Sequence, residues 1–313
     1  ANMSSATNGA YFKRLSLAKM LSRTLDVYCK GFWTFTQLAA ARVLATSFLW
    51  SLAVIVLFGP DFDPPSRQET AEFVAYLEDI SGSVYKLLAL SFGVGLLNGL
   101  VYALSWGAMV RAVADIYLQR APSLKDCATV GVRCFCPILL AGMVAGTAIW
   151  LGFLLFLVPG VYLTVVWFVH QPAIVIEGKM EVGSLGRSYE LVSNSWRYVF
   201  CTFSIIVLVV VGLQLVWQFV LGKFMERTAP NLCYGCCTGA FILSLSNIIV
   251  IPIASIVVTV MYINLRIEKE SMNADSLAKD LGESSGDAAY YAPLLDLDDL
   301  DEASREEGNV EQY

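Results

Sequence analysis

Apolar residues in this chain form five long runs that contain no charged side chain. A membrane-spanning helix needs roughly 20 apolar residues, so each run is long enough for at least one such helix. The run of 43 residues is long enough for two, and the Val158-Pro159-Gly160 sequence inside it is a turn signal. The pattern therefore predicts six transmembrane helices from runs at residues 43–60, 87–110, 134–176, 198–222 and 228–265.

Three of the segments between these runs begin with Ser-Leu, at residues 16, 123 and 184. Apolar residues recur at helical spacing in the first of them (Leu17, Leu21, Leu25, Tyr28) and in the third (Val182, Leu185, Tyr189, Val192, Trp196). These stripes predict helices that lie in the membrane interface, with Ser188 on the polar side of the third. The predicted fold is an all-α membrane protein whose six transmembrane helices form three hairpins, each preceded by an amphipathic interfacial helix. The alternative is that these linkers are amphipathic by chance.

Lysine and arginine are distributed unequally between the two sides of this predicted topology. Without the distal Lys279 and Arg305, 15 of them fall on the side of the N-terminus and 4 on the other side. The positive-inside rule then predicts an integral membrane protein with both termini in the cytosol, or on the equivalent side of an organelle. Arg42, at the inner end of the first span, is expected to reach the headgroups. Candidate lipid or partner contacts on the inner side are Lys19, Arg23, Lys30, Lys125, Lys179, Arg187 and Arg197.

Composition and charge add a third region to this picture. Hydrophobic residues make up 57% of the chain and charged residues 15%, which excludes an ordinary soluble domain. Residues 266–313 carry 14 acidic and 4 basic side chains, so an acidic, largely disordered cytosolic tail is predicted for residues 271–313. Residues 1–15 form an N-terminal segment and residues 16–270 the membrane domain. No clustered basic face is present, so nucleic acid is not an expected partner.

Few side chains suggest chemistry. No Asp, Glu, Lys or Arg is expected deep in any span, and His170 is the only histidine, so the sequence predicts no catalytic site, no metal site and no cofactor. Cys233, Cys236 and Cys237 share the last outer loop, where a disulfide is favoured if that side is oxidising. Three thiols without a second ligand cluster make a zinc site improbable.

Several segments resemble a known family. The sequences Val158-Pro159-Gly160-Val161-Tyr162-Leu163 and Leu185-Gly186-Arg187-Ser188-Tyr189-Glu190-Leu191, with the opening at residues 17–33 and the close at residues 261–281, are similar to the membrane domain associated with bacterial glycerophosphodiester phosphodiesterases. The resemblance covers about residues 16–282 and implies the fold of that domain. The family's phosphodiesterase domain is not among these residues, so its activity is not implied.

The function predicted from these observations is that of a non-catalytic polytopic membrane protein, a membrane interaction or organising module in contact with lipid. Its expected partners are membrane lipids and other membrane proteins. The alternative is a transporter or channel for a lipid-like or small neutral solute, which converging polar groups at mid-membrane would favour. A membrane-embedded lipid enzyme is a third possibility, which the missing acid–base residues disfavour.

Overall fold

A computed structural model describes residues 17–58, 84–179, 181–228 and 244–281, and these residues form helices without any strand. The all-α class is therefore confirmed for this part of the chain. The ten helices are α1 (Leu17–Lys30), α2 (Phe32–Phe58), α3 (Val84–Tyr117), α4 (Leu124–Leu155), α5 (Leu157–Val166), α6 (His170–Glu177), α7 (Glu181–Ser193), α8 (Trp196–Thr228), α9 (Asn247–Glu270) and α10 (Ala274–Asp280).

Five stretches of the described chain are long and apolar enough to cross a membrane, as expected of a polytopic membrane protein. They lie in α3, α4, the combined α5–α6 segment, α8 and α9, as Phe92–Tyr117, Leu124–Leu155, Leu157–Glu177, Trp196–Leu221 and Asn247–Glu270. The first predicted span belongs to α2, but most of the side chains beyond residue 50 of α2 lie outside the described part. The count of six spans stays a prediction.

Helix α9 occupies the centre of the bundle. It packs mainly against α1, α2 and α3, and 72% of its most apolar stretch is buried. Its contacts with α8 are fewer, so the third predicted hairpin is not a closely packed pair. The closest packing is between α3 and α4, where a Cβ atom on Gly131 would lie 2.5 Å from the carbonyl oxygen of Leu104. Small residues at such crossings allow membrane helices to approach closely.

Helices α4 and α5 pack side by side because the chain reverses at Phe156. This residue has an extended backbone (φ −160°, ψ 151°) between the two helices. The predicted turn sequence lies just after the reversal, since Pro159 occupies the first turn of α5, where no backbone N–H is required. Gly160 permits the close approach, because a Cβ atom there would overlap the Phe153 ring. The reversal is confirmed, but the break lies at Phe156 rather than at Val158-Pro159-Gly160.

The segments predicted as interfacial helices have three different outcomes. Helix α1 exists and packs against the bundle through Met20, Thr24 and Val27, which leaves Leu25 exposed. The second segment is not a separate helix, because α4 begins at Leu124 and continues unbroken to Leu155. The third segment is α7, described below.

The chain remains packed beyond the predicted domain boundary at residue 270. Helix α10 begins with a capping box in which the Asn273 side chain and Ser276 exchange hydrogen bonds with each other's backbone N–H groups. Met272, Leu277 and Ala278 are buried. The boundary predicted at residue 271 therefore falls inside the packed region, and residues 282–313 lie outside the described chain.

Candidate functional site

Two arginines and four acidic residues from α6, α7, α9 and α10 form an ion-pair network at one end of the bundle. We call this end the charged end. Arg187 Nε lies 2.9 Å and 3.0 Å from the two carboxylate oxygens of Glu177. Arg266 Nε lies 2.9 Å from Glu270 Oε2, and its Nη1 lies 2.7 Å from Asp280 Oδ2. The network connects two consecutive helices, α6 and α7, to two others, α9 and α10, that follow much later in the sequence.

Glu177 is the centre of this network. Its carboxylate accepts hydrogen bonds from Arg187 and, at 2.5 Å, from the Tyr262 hydroxyl, and Arg266 Nε lies 3.5 Å away. The Glu177 side chain is only 9% exposed. Its position follows from the sequence locally, because Gly178 adopts a left-handed conformation (φ 63°) that ends α6 immediately after it.

Glu270 bridges the two arginines. One of its oxygens pairs with Arg187 Nη2 and the other with Arg266 Nε. Burial alone would lower the pKa of Arg187, but its bonds to Glu270 and Glu177 outweigh burial and raise that pKa above its ordinary value. Removing one partner of a buried pair leaves the other charge uncompensated, at a cost of about 3–5 kcal/mol. The arrangement therefore fixes α6, α7, α9 and α10 against each other.

A second polar group lies inside the bundle, where α2, α3 and α6 meet. The guanidinium carbon of Arg42 lies 4.8 Å from the centre of the Tyr102 ring. Gln171 Nε2 donates a hydrogen bond of 2.5 Å to the Tyr102 hydroxyl. The Trp106 ring stacks on Tyr102 with 5.3 Å between ring centres. Arg42 Nη1 and Trp106 Nε1 are both buried and make no hydrogen bond.

Arg42 was expected at the inner end of a span, within reach of the headgroups, but its guanidinium lies against a ring inside the bundle. Tyr102 lies nine residues from Arg111 along α3, so the guanidinium is about 14 Å deeper in the span than the Arg111 level. Arg42 lies in the middle of α2, and residues 31–41 before it carry no charge. Arg42 therefore lies inside the bundle rather than at its end, and the expectation that no charged side chain lies deep in a span stays a prediction.

Another ion pair lies on α3, on the side of the charged end of the bundle. Arg111 Nε lies 2.9 Å from Asp115 Oδ1, one helical turn away, and both side chains are largely buried. The Cys127 thiol on α4 lies 4.0 Å from the other oxygen of the same carboxylate. In the part of the chain that the structure describes, no three His, Cys, Asp or Glu side chains are placed to share a metal ion.

Most of the basic residues predicted as lipid or partner contacts lie on the surface. Arg23 is half-buried, and Lys30 is exposed but paired with Asp26 at 2.9 Å. The remaining exposed ones are Lys19, Lys125, Lys179 and Arg197. Exposure is compatible with contact to headgroups, and contact itself stays a prediction.

Arg187 and Ser188 differ from this pattern and require a correction. The Arg187 guanidinium contacts Glu177, Glu190 and Glu270, so it acts inside the protein rather than on headgroups. Ser188, predicted on the polar face, is fully buried and donates to the carbonyl oxygen of Val166 at 2.7 Å.

The reason for this difference is that α7 is rotated relative to the predicted apolar stripe. Its serines at positions 184 and 188 face the bundle together with Leu191. Of the predicted stripe, Leu185 and Val192 are buried, whereas Val182 and Tyr189 are exposed.

The predicted disulfide cannot be placed. Cys233, Cys236 and Cys237 belong to residues 229–243, which lie outside the described residues. The cysteines that the structure does describe are free thiols at positions 29, 127, 134, 136 and 201.

Of the ion-pair network, sequence reasoning named only Arg187 as a candidate and missed Arg266 and the four acidic residues, and it also missed the interior polar group. The spacing of Arg266 and Glu270, four residues apart on one helix, was a local signal for a pair. The uncharged residues on both sides of Arg42 were a signal that this arginine lies away from the end of its helix. No family model, curated protein or solved structure matches this chain.

Proposed function

We propose that the chain is a non-catalytic polytopic membrane protein that organises lipids or partner proteins around its charged end. The observation that carries this proposal is the ion-pair network, in which Glu177, Glu270 and Asp280 each contact an arginine. Carboxylates held in this way maintain the shape of the charged end. They are poorly suited to exchange protons with a substrate, because a general acid or base has to change its protonation state.

The surface around this network supports contact with a membrane. Exposed basic residues, Lys125 and Arg197 among them, lie on the same end of the bundle as exposed apolar side chains such as Val182 and Tyr189. Apolar side chains that insert beside the headgroups, together with lysine or arginine, are the usual components of an interfacial contact. Each basic residue near an anionic leaflet contributes about 1 kcal/mol. The same surface is available to an acidic membrane protein partner.

The experiment compares three forms of the full chain by native mass spectrometry after extraction from membranes. Lys125, Lys179 and Arg197 are changed together to Gln, and the matched control changes the two lysines to Arg. We expect the Gln variant to retain several-fold less anionic lipid than the wild type and the control, because the control keeps the charge. Equal retention in all three forms would contradict the proposed lipid contact. A hydrolytic turnover that disappears in Glu270→Gln would contradict the non-catalytic role.

A second candidate function is transport of a lipid-like or small neutral solute, and the interior polar group favours it. Arg42, Tyr102 and Gln171 join three helices in the middle of the bundle. Intramembrane ionisable residues often mark a path for a substrate. Proteoliposomes that contain the wild type should then move a labelled lipid between leaflets faster than those with Gln171→Leu. Equal rates in protein-containing and protein-free liposomes would exclude this function.

A further inference from the structure

The polar group formed by Arg42, Tyr102, Trp106 and Gln171 has an unequal supply of hydrogen-bond donors. Arg42 Nη1 and Trp106 Nε1 are buried N–H groups without an acceptor. The Tyr102 hydroxyl already accepts from Gln171 Nε2, so its own proton is directed elsewhere. A guanidinium and an indole offer donors only. The acceptors of the group, Gln171 Oε1 and the Tyr102 hydroxyl oxygen, accept from neither Arg42 Nη1 nor Trp106 Nε1, so these two donors are unmatched and the net charge of the group is positive.

The single favourable contact of the Arg42 guanidinium in the described chain is the face of the Tyr102 ring. A ring face attracts a cation but accepts no conventional hydrogen bond. The largely buried arginines at or near the charged end are different, because Arg111, Arg187 and Arg266 each lie beside a carboxylate. A buried charge is normally paired, and an unpaired one is costly. Arg42 thus differs from the other three arginines because an aromatic ring, and not a carboxylate, lies beside its guanidinium.

From this donor surplus we infer that Arg42 and Trp106 bind a phosphate oxyanion, supplied by a phospholipid headgroup or as free phosphate. Phosphate oxygens are acceptors, and the planar guanidinium can bind two of them at once. The inference goes beyond the proposed role of the charged end, because Arg42 belongs neither to the ion-pair network nor to the seven basic residues named as candidate contacts on the inner side.

Arg42 is partly exposed, so its guanidinium is open to a ligand from outside the bundle. The apolar side chains of Leu44 and Phe48 are 56% and 68% exposed and lie on the outward side of α2, because positions two and six residues along a helix face away from Arg42. The acyl chains of a bound lipid would contact this outward apolar side of α2. A headgroup can be drawn below the interface where the bilayer thins around an intramembrane arginine. A lipid bound here would hold its phosphate deeper than its neighbours in the leaflet.

The test uses the full chain, delipidated in a maltoside detergent and free of phosphate. Three probes are added separately: dihexanoyl phosphatidylglycerol, dihexanoylglycerol without the phosphate, and inorganic phosphate. Thermal unfolding and tryptophan fluorescence report binding. The variants are Arg42→Gln and, as a matched control, Arg133→Gln, which removes an exposed arginine from α4.

We expect the phospholipid to raise the unfolding midpoint of the wild type and of Arg133→Gln. In Arg42→Gln its apparent Kd should increase by about tenfold or more, because a charge-assisted bidentate contact is lost. A response to the phospholipid but not to inorganic phosphate identifies a lipid as the source. A response to both identifies the free anion as sufficient. An equal response to dihexanoylglycerol, equal affinity in Arg42→Gln, or no response of the wild type overturns the inference.

Two further variants keep the test decisive if Arg42→Gln does not fold. Arg42→Lys keeps the positive charge but loses the bidentate geometry, and Trp106→Phe keeps the ring but loses the N–H donor. We expect each to weaken phospholipid binding by about two- to fivefold. Wild-type affinity in both variants would show that neither group binds the phosphate.

Discussion

Helices α8 and α9 are comparably apolar, yet they have opposite positions in the molecule. In α9, 72% of the most apolar stretch is buried, against 11% in α8. The buried face of α9 includes Ser255 and Thr259, which are fully inaccessible, whereas α8 exposes large side chains such as Leu208 and Phe219. In a bilayer, apolar side chains are equally well solvated by lipid and by protein, so small and polar residues decide which helix becomes central. Hydropathy alone predicts that both helices enter the membrane but not where they pack.

The two ends of α9 extend this comparison. At the charged end, Arg266 and Glu270 belong to a network with Glu177, Arg187 and Asp280. At the other end, Asn247 accepts a single hydrogen bond of 2.8 Å from Gln214 of α8. We therefore expect the stability of the described bundle to depend strongly on the charged end and weakly on the attachment of α8.

The largest effect is expected from Glu177→Gln. Arg187 and Arg266 keep Glu270 as a partner after this change, so the loss comes from the charge-assisted hydrogen bonds that Glu177 accepts from Arg187 and Tyr262. Such bonds contribute about 1.5–3 kcal/mol each, and the free energy of unfolding should fall by about 3–5 kcal/mol. Unfolding by a denaturing detergent in mixed micelles measures the difference. The matched control is Glu190→Gln, because the Glu190 side chain is 69% exposed and lies 3.6 Å from Arg187. A similar loss in both variants would show that the network does not depend on Glu177.

The next effect compares the central and the peripheral helix directly. Ile256 on α9 is fully buried, so Ile256→Ala should create a cavity and cost about 2–5 kcal/mol of unfolding free energy. Leu208 on α8 is 74% exposed, and Leu208→Ala should cost less than about 0.5 kcal/mol. The same unfolding assay applies to both. Equal losses would mean that α8 is as tightly packed in the membrane as α9.

A smaller effect is expected where α3 and α4 cross. The Cβ atom of Gly131→Ala would collide with the Leu104 carbonyl, and separating the helices should cost about 1–3 kcal/mol. Gly142 on the same helix has no neighbouring atom within 4 Å of a Cβ position. Gly142→Ala should therefore leave stability unchanged or raise it by up to about 1 kcal/mol. If thermal unfolding in detergent gives the same midpoint for both variants, the crossing is looser than the structure indicates.

The fold class and most of the apolar helices could be predicted from the sequence, because both depend on local composition. A run of about 20 apolar residues without charges predicts a membrane helix, whichever other helices pack against it. The stretches in α3, α4, α8 and α9 follow this rule. The same rule gave the wrong position for Arg42. Each run was counted from one charged residue to the next, so a charged residue always stood at the end of a predicted span. Residues 31–41 are uncharged as well, so α2 has uncharged residues on both sides of the arginine.

The ion-pair network was harder to predict because its members come from distant parts of the chain. Glu177 and Asp280 are joined only through Arg266, and no local spacing connects them. The orientation of α7 was missed for a related reason. An apolar stripe was expected to face the membrane, but the helix face that carries the serines at positions 184 and 188 packs against the bundle, because small residues allow closer packing.

The smallest expected effect concerns the attachment of α8 to α9. Gln214 Nε2 donates to Asn247 Oδ1 at 2.8 Å, and hydrogen bonds between membrane helices contribute about 0.6 kcal/mol on average, with a maximum near 1.7 kcal/mol. A double-mutant cycle of Gln214→Leu and Asn247→Leu, measured by unfolding in mixed micelles, isolates this pair from other effects of each change. We expect a coupling energy of about 0.6 kcal/mol, because the hydrogen bond lies next to side chains of α8 that are mostly exposed. The control cycle combines Gln214→Leu with Thr259→Val, which lies further along α9 and should show no coupling. A Gln214–Asn247 coupling as large as the loss in Glu177→Gln would mean that α8 is held as firmly as the charged end, and the contrast between the two regions would fail.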